Sequence, residues 1–151
     1  MEERFQVFTV LIAGINRSIL RIKTEEMSEF NLRSSHVSCL YYLYKKESLT
    51  AREICDLCEE DKANISRAVK LLEEKGYVIC DSEEKKRYQS PLRLTDEGKK
   101  IGRSIVEKID RVLDVASCGL TDEEREIMYK GLAVVNKNLN ALCEGFADSE
   151  G

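Results

Sequence analysis

The segment from Asp61 to Leu94 constrains the fold of this chain more than any other. It opens DKANISRAVKLLEEKG, in which Ile65, Ala68, Val69 and Leu72 recur at helical spacing while Lys62, Asn64, Ser66, Arg67 and Lys70 project from other faces. One side of such a helix packs, and the other is free to contact a partner. Asp61 fits the N-cap, because its carboxylate can accept from the first unpaired N–H groups, and Gly76 fits the left-handed position past the last turn. A short β-rich run, YVIC, follows; then come a charged loop, DSEEKKR, and YQSPLRL, whose Tyr88, Leu92 and Leu94 share one alternating face. That is a helix followed by a hairpin. Upstream, LTAREICDLCEE reads as another short helix in which Thr50 and Glu53 form a capping box and Ile54, Leu57 and Cys58 mark the apolar side. Two short helices joined by a tight turn, with a hairpin behind them, predict a winged helix-turn-helix.

Charge supports this reading only when it is split along the chain. The net charge is −4, yet residues 62 to 103 carry eleven Lys or Arg against seven Asp or Glu, and the rest carry thirteen against twenty-one. The positive balance sits in the reading segment. Local charge decides where a phosphate backbone can approach.

Long amphipathic helices flank this centre. Phe5, Phe8, Leu11, Ile12, Ile15, Ile19 and Ile22 predict one over residues 4 to 22, broken only by Gly14. Ser34 or Ser35 is expected to cap the next helix, SSHVSCLYYLYKK, whose Val37, Leu40, Tyr41 and Leu43 pack inward. After the hairpin, Thr95 caps a helix marked by Ile101, Ile105, Ile109, Val112, Leu113 and Ala116 and closed by Cys118 and Gly119. Thr121 and Glu124 make a second capping box, and the last helix runs through Ile127, Leu132, Val135, Leu139 and Leu142 to a polar tail. The class is mainly α (α+β). Three apolar stripes exceed what a small central domain can cover, which points to a twofold homodimer.

The succession LTAREIC, NISRAVKLLEEKGYV and LRLTDEGKKIG, spread over nearly the whole chain, resembles the multiple antibiotic resistance regulator (MarR) family of winged helix-turn-helix transcription factors. The resemblance implies residues 1–32 and 96–151 as a helical dimerisation region around a DNA-binding domain at 33–95. It implies a dimeric, sequence-specific regulator of double-stranded DNA with a pseudo-palindromic operator, often a repressor released by a small-molecule effector or by thiol oxidation.

Carried onto this sequence, the reading helix presents Lys62, Ala63, Asn64, Ser66, Arg67 and Lys70 to the major groove. Arg67 and Asn64 have the bidentate geometry for guanine and adenine respectively, whereas Lys62, Ser66 and Lys70 suit phosphates. Thr50 and Arg52, opening the preceding helix, would lie against the backbone. At the wing, Arg87 is the candidate minor-groove arginine, with Lys85 and Lys86 on flanking phosphates. Ile79 and Cys80 stand where the family commonly has basic residues. An effector pocket is expected between the reading domain and the helical base, with His36, Tyr41 and Arg17 nearby.

Other chemistry is thinly supported. Cys55 and Cys58 form C-x-x-C without a second pair, so the six cysteines read as reduced packing residues, and no metal or cofactor is expected. A single histidine and the lack of a nucleophile set or phosphate-cradling loop argue against an enzyme. The alternatives are a winged-helix protein-interaction module and a thiol-based regulator. No uninterrupted apolar run approaches about 20 residues, and MEERFQVF lacks the basic start of a signal peptide, so a cytoplasmic protein with no membrane partner is expected.

Overall fold

The computed structural model of the chain describes residues 2–58, 60–81 and 87–147. Its elements in order are α1 (Glu2–Phe5), a π-helical stretch (Gln6–Leu11), α2 (Ile12–Glu26), a 3-10 turn (Ser28–Phe30), α3 (Ser34–Lys46), β1 (Leu49–Thr50) and α4 (Ala51–Cys58). Then come α5 (Lys62–Glu74), β2 (Val78–Cys80), a 3-10 turn (Arg87–Gln89), β3 (Pro91–Leu94), α6 (Asp96–Ala116) and α7 (Asp122–Ala147). The expected helix, helix, hairpin succession is present, and the class is mainly helical with one small sheet.

The chain divides into two compact units, Met1–Asp110 and Arg111–Gly151. The core of the first forms where α3, α4 and α5 close against the sheet and the start of α6. Val37, Leu40 and Leu43 come from α3, Ile54 from α4, Ile65, Ala68 and Leu72 from α5, and Leu92 and Leu94 from β3, all buried with Ile105 of α6. These are the apolar positions picked out by periodicity. Cys39 and Cys55 are also buried, as small apolar fillers.

The sheet holds a strand that sequence pattern does not announce. Its order is β1-β3-β2, antiparallel throughout, with Leu49 opposite Leu92 and Val78 opposite Leu94. A two-residue strand has no periodicity of its own, so β1 exists only through its partner. Pro91 stands at the first residue of the central strand, where the missing N–H is tolerated.

Two helix ends differ from expectation. The N-cap of α3 is Arg33, and His36 at the third helical position accepts the Arg33 backbone N–H on Nδ1 at 3.0 Å, the role that Glu or Gln plays in a capping box. The N-terminal helical run extends to Glu26, beyond Ile22. It includes a π-helical stretch, and Phe5, Val7, Val10, Leu11, Ile15 and Ile19 along the run are all exposed. The length argument against a membrane span also needs correction. Glu3–Glu26 is long and apolar enough to cross one by length and composition, since Arg17 and Arg21 interrupt the run without offsetting it.

In the second unit, α7 spans 26 residues, about 39 Å at the helical rise. Its N-terminus is fixed as expected: Thr121 N–H donates to Glu124 at 2.8 Å, and Glu124 N–H to Thr121 Oγ1 at 3.2 Å. Ile127, Leu132, Leu139 and Leu142 stay exposed.

Candidate nucleic-acid interface

The orientation of α5 follows from how its two ends are tied. At the start, Asp61 Oδ1 accepts the Asn64 backbone N–H at 2.8 Å, so the expected cap forms. At the end, Gly76 adopts φ +76°, Gly76 N–H donates to Glu73 C=O and Tyr77 N–H to Leu72 C=O, both at 2.9 Å. These are the paired bonds of a Schellman motif. Thr95 then joins this end to α6: its hydroxyl donates to Gly76 C=O at 2.6 Å and accepts from Gly98 N–H at 3.0 Å, and its N–H donates to Tyr77 C=O at 3.0 Å. Gly98 lies so close to Tyr77 that a Cβ there would collide with the Tyr77 carbonyl oxygen. The segments EEKG and LTDEG therefore meet in space, and between them they fix the C-terminal end of α5.

With its inner face sealed, α5 presents Lys62, Ala63, Ser66, Arg67 and Lys70 as one exposed stripe. Lys62 sets its ammonium 4.4 Å from the centre of the Tyr88 ring, a cation–π contact. The Tyr88 hydroxyl reaches Cys55 Sγ at 3.5 Å, so Tyr88 braces the foot of the wing against α4 and the start of α5. That contact and burial push the Tyr88 hydroxyl above its ordinary pKa. Ser66 and Lys70 edge a cleft of about 280 Å³ floored by Ala51, Val69, Leu92 and Tyr88.

Asn64 differs from its neighbours. It is half-buried, its amide N–H donates to Glu60 Oε2 at 2.6 Å, and its carbonyl accepts from Arg67 Nη2 at 3.3 Å. Glu60 carries no signal in the sequence pattern. The turn before α5, not any periodicity, brings its carboxylate to the Asn64 amide.

Thr50 lies in β1 and still closes the expected box. Its N–H donates to Glu53 Oε2 at 2.7 Å, its hydroxyl donates to the same oxygen at 3.0 Å, and Glu53 N–H donates back at 3.2 Å. These bonds hold the Glu53 carboxyl below the usual range. Arg52 is exposed one residue into α4. At the wing, Arg93 Nε pairs with Asp81 Oδ1 at 2.7 Å and Asp81 N–H donates to Pro91 C=O at 3.0 Å, closing the base of the hairpin. The backbone of Arg87 begins the 3-10 turn, while Lys85 and Lys86 lie outside the described residues.

A second cleft of about 670 Å³ runs between the end of α2, the turn before α3, and α5. Thr24, Arg33, His36, Asn64 and Arg67 are among the residues that line it. Of the expected effector-pocket residues, His36 is there; Tyr41 lies further along α3, packed edge-on to Tyr42, and Arg17 lies on α2. His36 titrates below its ordinary value, through burial and then through Arg33 and Lys75.

The buried thiols behave as packing groups, whereas Cys118 and Cys143 are exposed, against the expectation that all six cysteines pack. Burial pushes the Cys39 thiol far up and Cys58 up to about 11, away from the thiolate form that reacts or binds metal. Among the described residues no group of three or more His, Cys, Asp or Glu side chains is arranged to hold a metal ion.

Comparison with known proteins agrees with this architecture. Residues 36–113 match the model of a winged helix DNA-binding domain. The chain is 31% identical over 119 residues to the Bacillus subtilis HTH-type transcriptional regulator YwoH, covering 77% of this chain and 86% of that one. It is similar in structure to NMB1585, a MarR family regulator from Neisseria meningitidis, with TM-score 0.75 and 18% identity over 89% of this chain and 94% of the other. It is likewise similar to S. aureus MepR in a DNA complex, with TM-score 0.75 and 19% identity over 87% of this chain and 97% of the other. The ties at both ends of α5, the three-stranded wing base and the matched residues lead to one assignment: the chain belongs to the winged helix DNA-binding domain family and carries the fold of the MarR transcriptional regulators.

Proposed function

We propose that two copies of this chain form a cytoplasmic homodimer that binds a pseudo-palindromic operator through paired α5 helices and acts as a repressor released by a small-molecule effector. The observation that carries the reading is the exposed stripe Lys62, Ala63, Ser66, Arg67 and Lys70 on a helix whose other face is core. Arg67 reads a base; Ser66, Lys70 and Lys62 hold phosphates; Thr50, Arg52 and the wing residues Lys85, Lys86 and Arg87 flank them. Asn64 lies beside Arg67 on the same helix. The MepR neighbour, solved with DNA, supports a duplex as the partner.

Dimerisation through residues 1–32 and 96–151 is supported by the exposed apolar residues of the terminal helices. Phe5, Leu11, Ile15, Leu132, Leu139 and Leu142 are too many large side chains to leave in water. In a twofold dimer the two reading helices enter successive major grooves about 34 Å apart. An N-terminal helix with a wide exposed apolar stripe suits a helical interface, and the role is regulatory, not enzymatic.

Sedimentation with and without a selected duplex, followed by a salt titration of affinity, tests the reading. The expected result is a dimer bound to one duplex, with log K falling at about −0.9 per phosphate contacted. A monomer with no shift at low salt would favour a winged-helix protein-binding module. Recovery on lipid vesicles without DNA binding would instead assign Glu3–Glu26 to a membrane.

A further inference from the structure

Among the described residues, Arg67 of the stripe shares a hydrogen-bond chain with the turn that precedes α5, and the chain passes through Asn64. Glu60 Oε2 takes the Asn64 amide N–H at 2.6 Å, and the Asn64 carbonyl takes Arg67 Nη2 at 3.3 Å. Polarity allows one orientation only. Turning the amide over would set its NH2 against a guanidinium and its oxygen against a carboxylate. The Asn64 backbone is pinned to the same turn, since its N–H donates to Asp61 at 2.8 Å. An asparagine that reads adenine needs both ends of its amide directed at the base edge, and here one end is turned to each internal partner.

We propose that Glu60 and Asn64 are positioning residues that pre-set the Arg67 guanidinium for its base, and that Asn64 does not itself read one. The inference rests on the DNA-binding reading above and assigns a separate role within it. Arginine is long and loses rotamer freedom when it is fixed on a base edge; a side chain already held by its neighbour loses less. Specificity at that base pair then depends on the Glu60 carboxylate, which lies in the turn before α5 and acts on the reading residue through Asn64. Glu60 also carries charge, which opposes every phosphate equally and so affects affinity without affecting sequence preference.

The two effects separate in one experiment on the full chain. Duplexes are selected from a random library, each base pair of the half-site is replaced in turn, and affinities are measured for wild type, Arg67→Ala, Asn64→Ala, Glu60→Ala, Glu60→Gln and Asn64→Ala/Arg67→Ala. Arg67→Ala is expected to abolish discrimination at one base pair. Asn64→Ala and Glu60→Ala should reduce discrimination at that same pair by about 2- to 10-fold, the worth of one hydrogen bond. Asn64→Ala should change nothing further once Arg67 is gone. Glu60→Gln keeps an acceptor and removes the charge, so it should retain discrimination while binding all sequences more tightly. An Asn64→Ala effect at a different base pair, additivity with Arg67→Ala, or an equal loss on every sequence with a lowered melting temperature would overturn the proposal. If Arg67→Ala alters no base preference, the DNA-binding assignment of α5 fails with it; if Arg67→Ala does and Asn64→Ala does not couple, only this inference falls.

Discussion

α5 and α7 differ in what happens to their apolar residues. On α5, Ile65, Ala68 and Leu72 are essentially inaccessible, and both helix ends are tied by side-chain or backbone bonds. On α7, Ile127 is 69% exposed and Leu142 61%, so side chains of the same type find little cover among the described residues. The first helix is finished by its own domain, while the second leaves its apolar residues uncovered. Under the proposed function this separates reading from assembly, so that each should be open to disturbance without the other.

The largest effect expected is at Gly98. Gly98→Ala drives a methyl into the Tyr77 carbonyl and should lower stability by about 3 kcal/mol in a denaturant melt. Gly131→Ala on α7, where a Cβ meets nothing within 4 Å, should instead be neutral or stabilise by up to about 1 kcal/mol. Equal losses at both would erase the contrast between a closed and an open region.

Next comes assembly. Leu132→Glu with Leu139→Glu places two carboxylates on one stripe of α7 and should weaken self-association by at least about 100-fold, near 2.7 kcal/mol. Sedimentation at several concentrations reads this. The melting midpoint of the reading domain at high dilution should stay put.

Within the reading face, Arg67→Ala should cost about 1 to 3 kcal/mol on a selected duplex and relax one position. Lys70→Ala should weaken all duplexes alike and make the salt dependence shallower. Matching losses on random and selected DNA for both variants would remove the distinction between reading and holding.

The smallest effect is a pH dependence. His36 titrates below its ordinary value, so the unfolded chain takes up the proton first as pH falls. Stability is therefore complete above about pH 6.5 and declines below it towards the folded-state value, as Nδ1 becomes unable to accept from Arg33 N–H. About 1 kcal/mol is at stake, the net worth of one hydrogen bond. His36→Gln keeps an acceptor without a proton to gain and should flatten this part of the profile.

Where an element is specified by its own residues, it was readable in advance. The Asp61 cap, the Gly76 stop, the two Thr and Glu boxes and the inward positions of α3 and α5 all follow from local chemistry and period, whereas Leu57, expected on the apolar side of α4, stays exposed while Ala51 and Cys55 are buried. β1 did not, because two residues become a strand only opposite Leu92 and Pro91. The Arg33 cap was missed because the acceptor is a histidine ring three residues later. Periodicity put Asn64 on the same outward face as Arg67 but could not reveal that Glu60 lies within reach of its amide. The apolar weight of Glu3–Glu26 was hidden by counting uninterrupted runs when the average over the helix is what matters.

The contact of Gly98 with Tyr77, flanked by the Thr95 bonds, has a mechanical consequence. Between the residue just past α5 and the first turn of α6 stand only backbone atoms and the short Thr95 side chain, so little can yield there to absorb a displacement. A tilt imposed on the start of α6 is thus passed on to the tail of α5, with the glycine acting as the fulcrum.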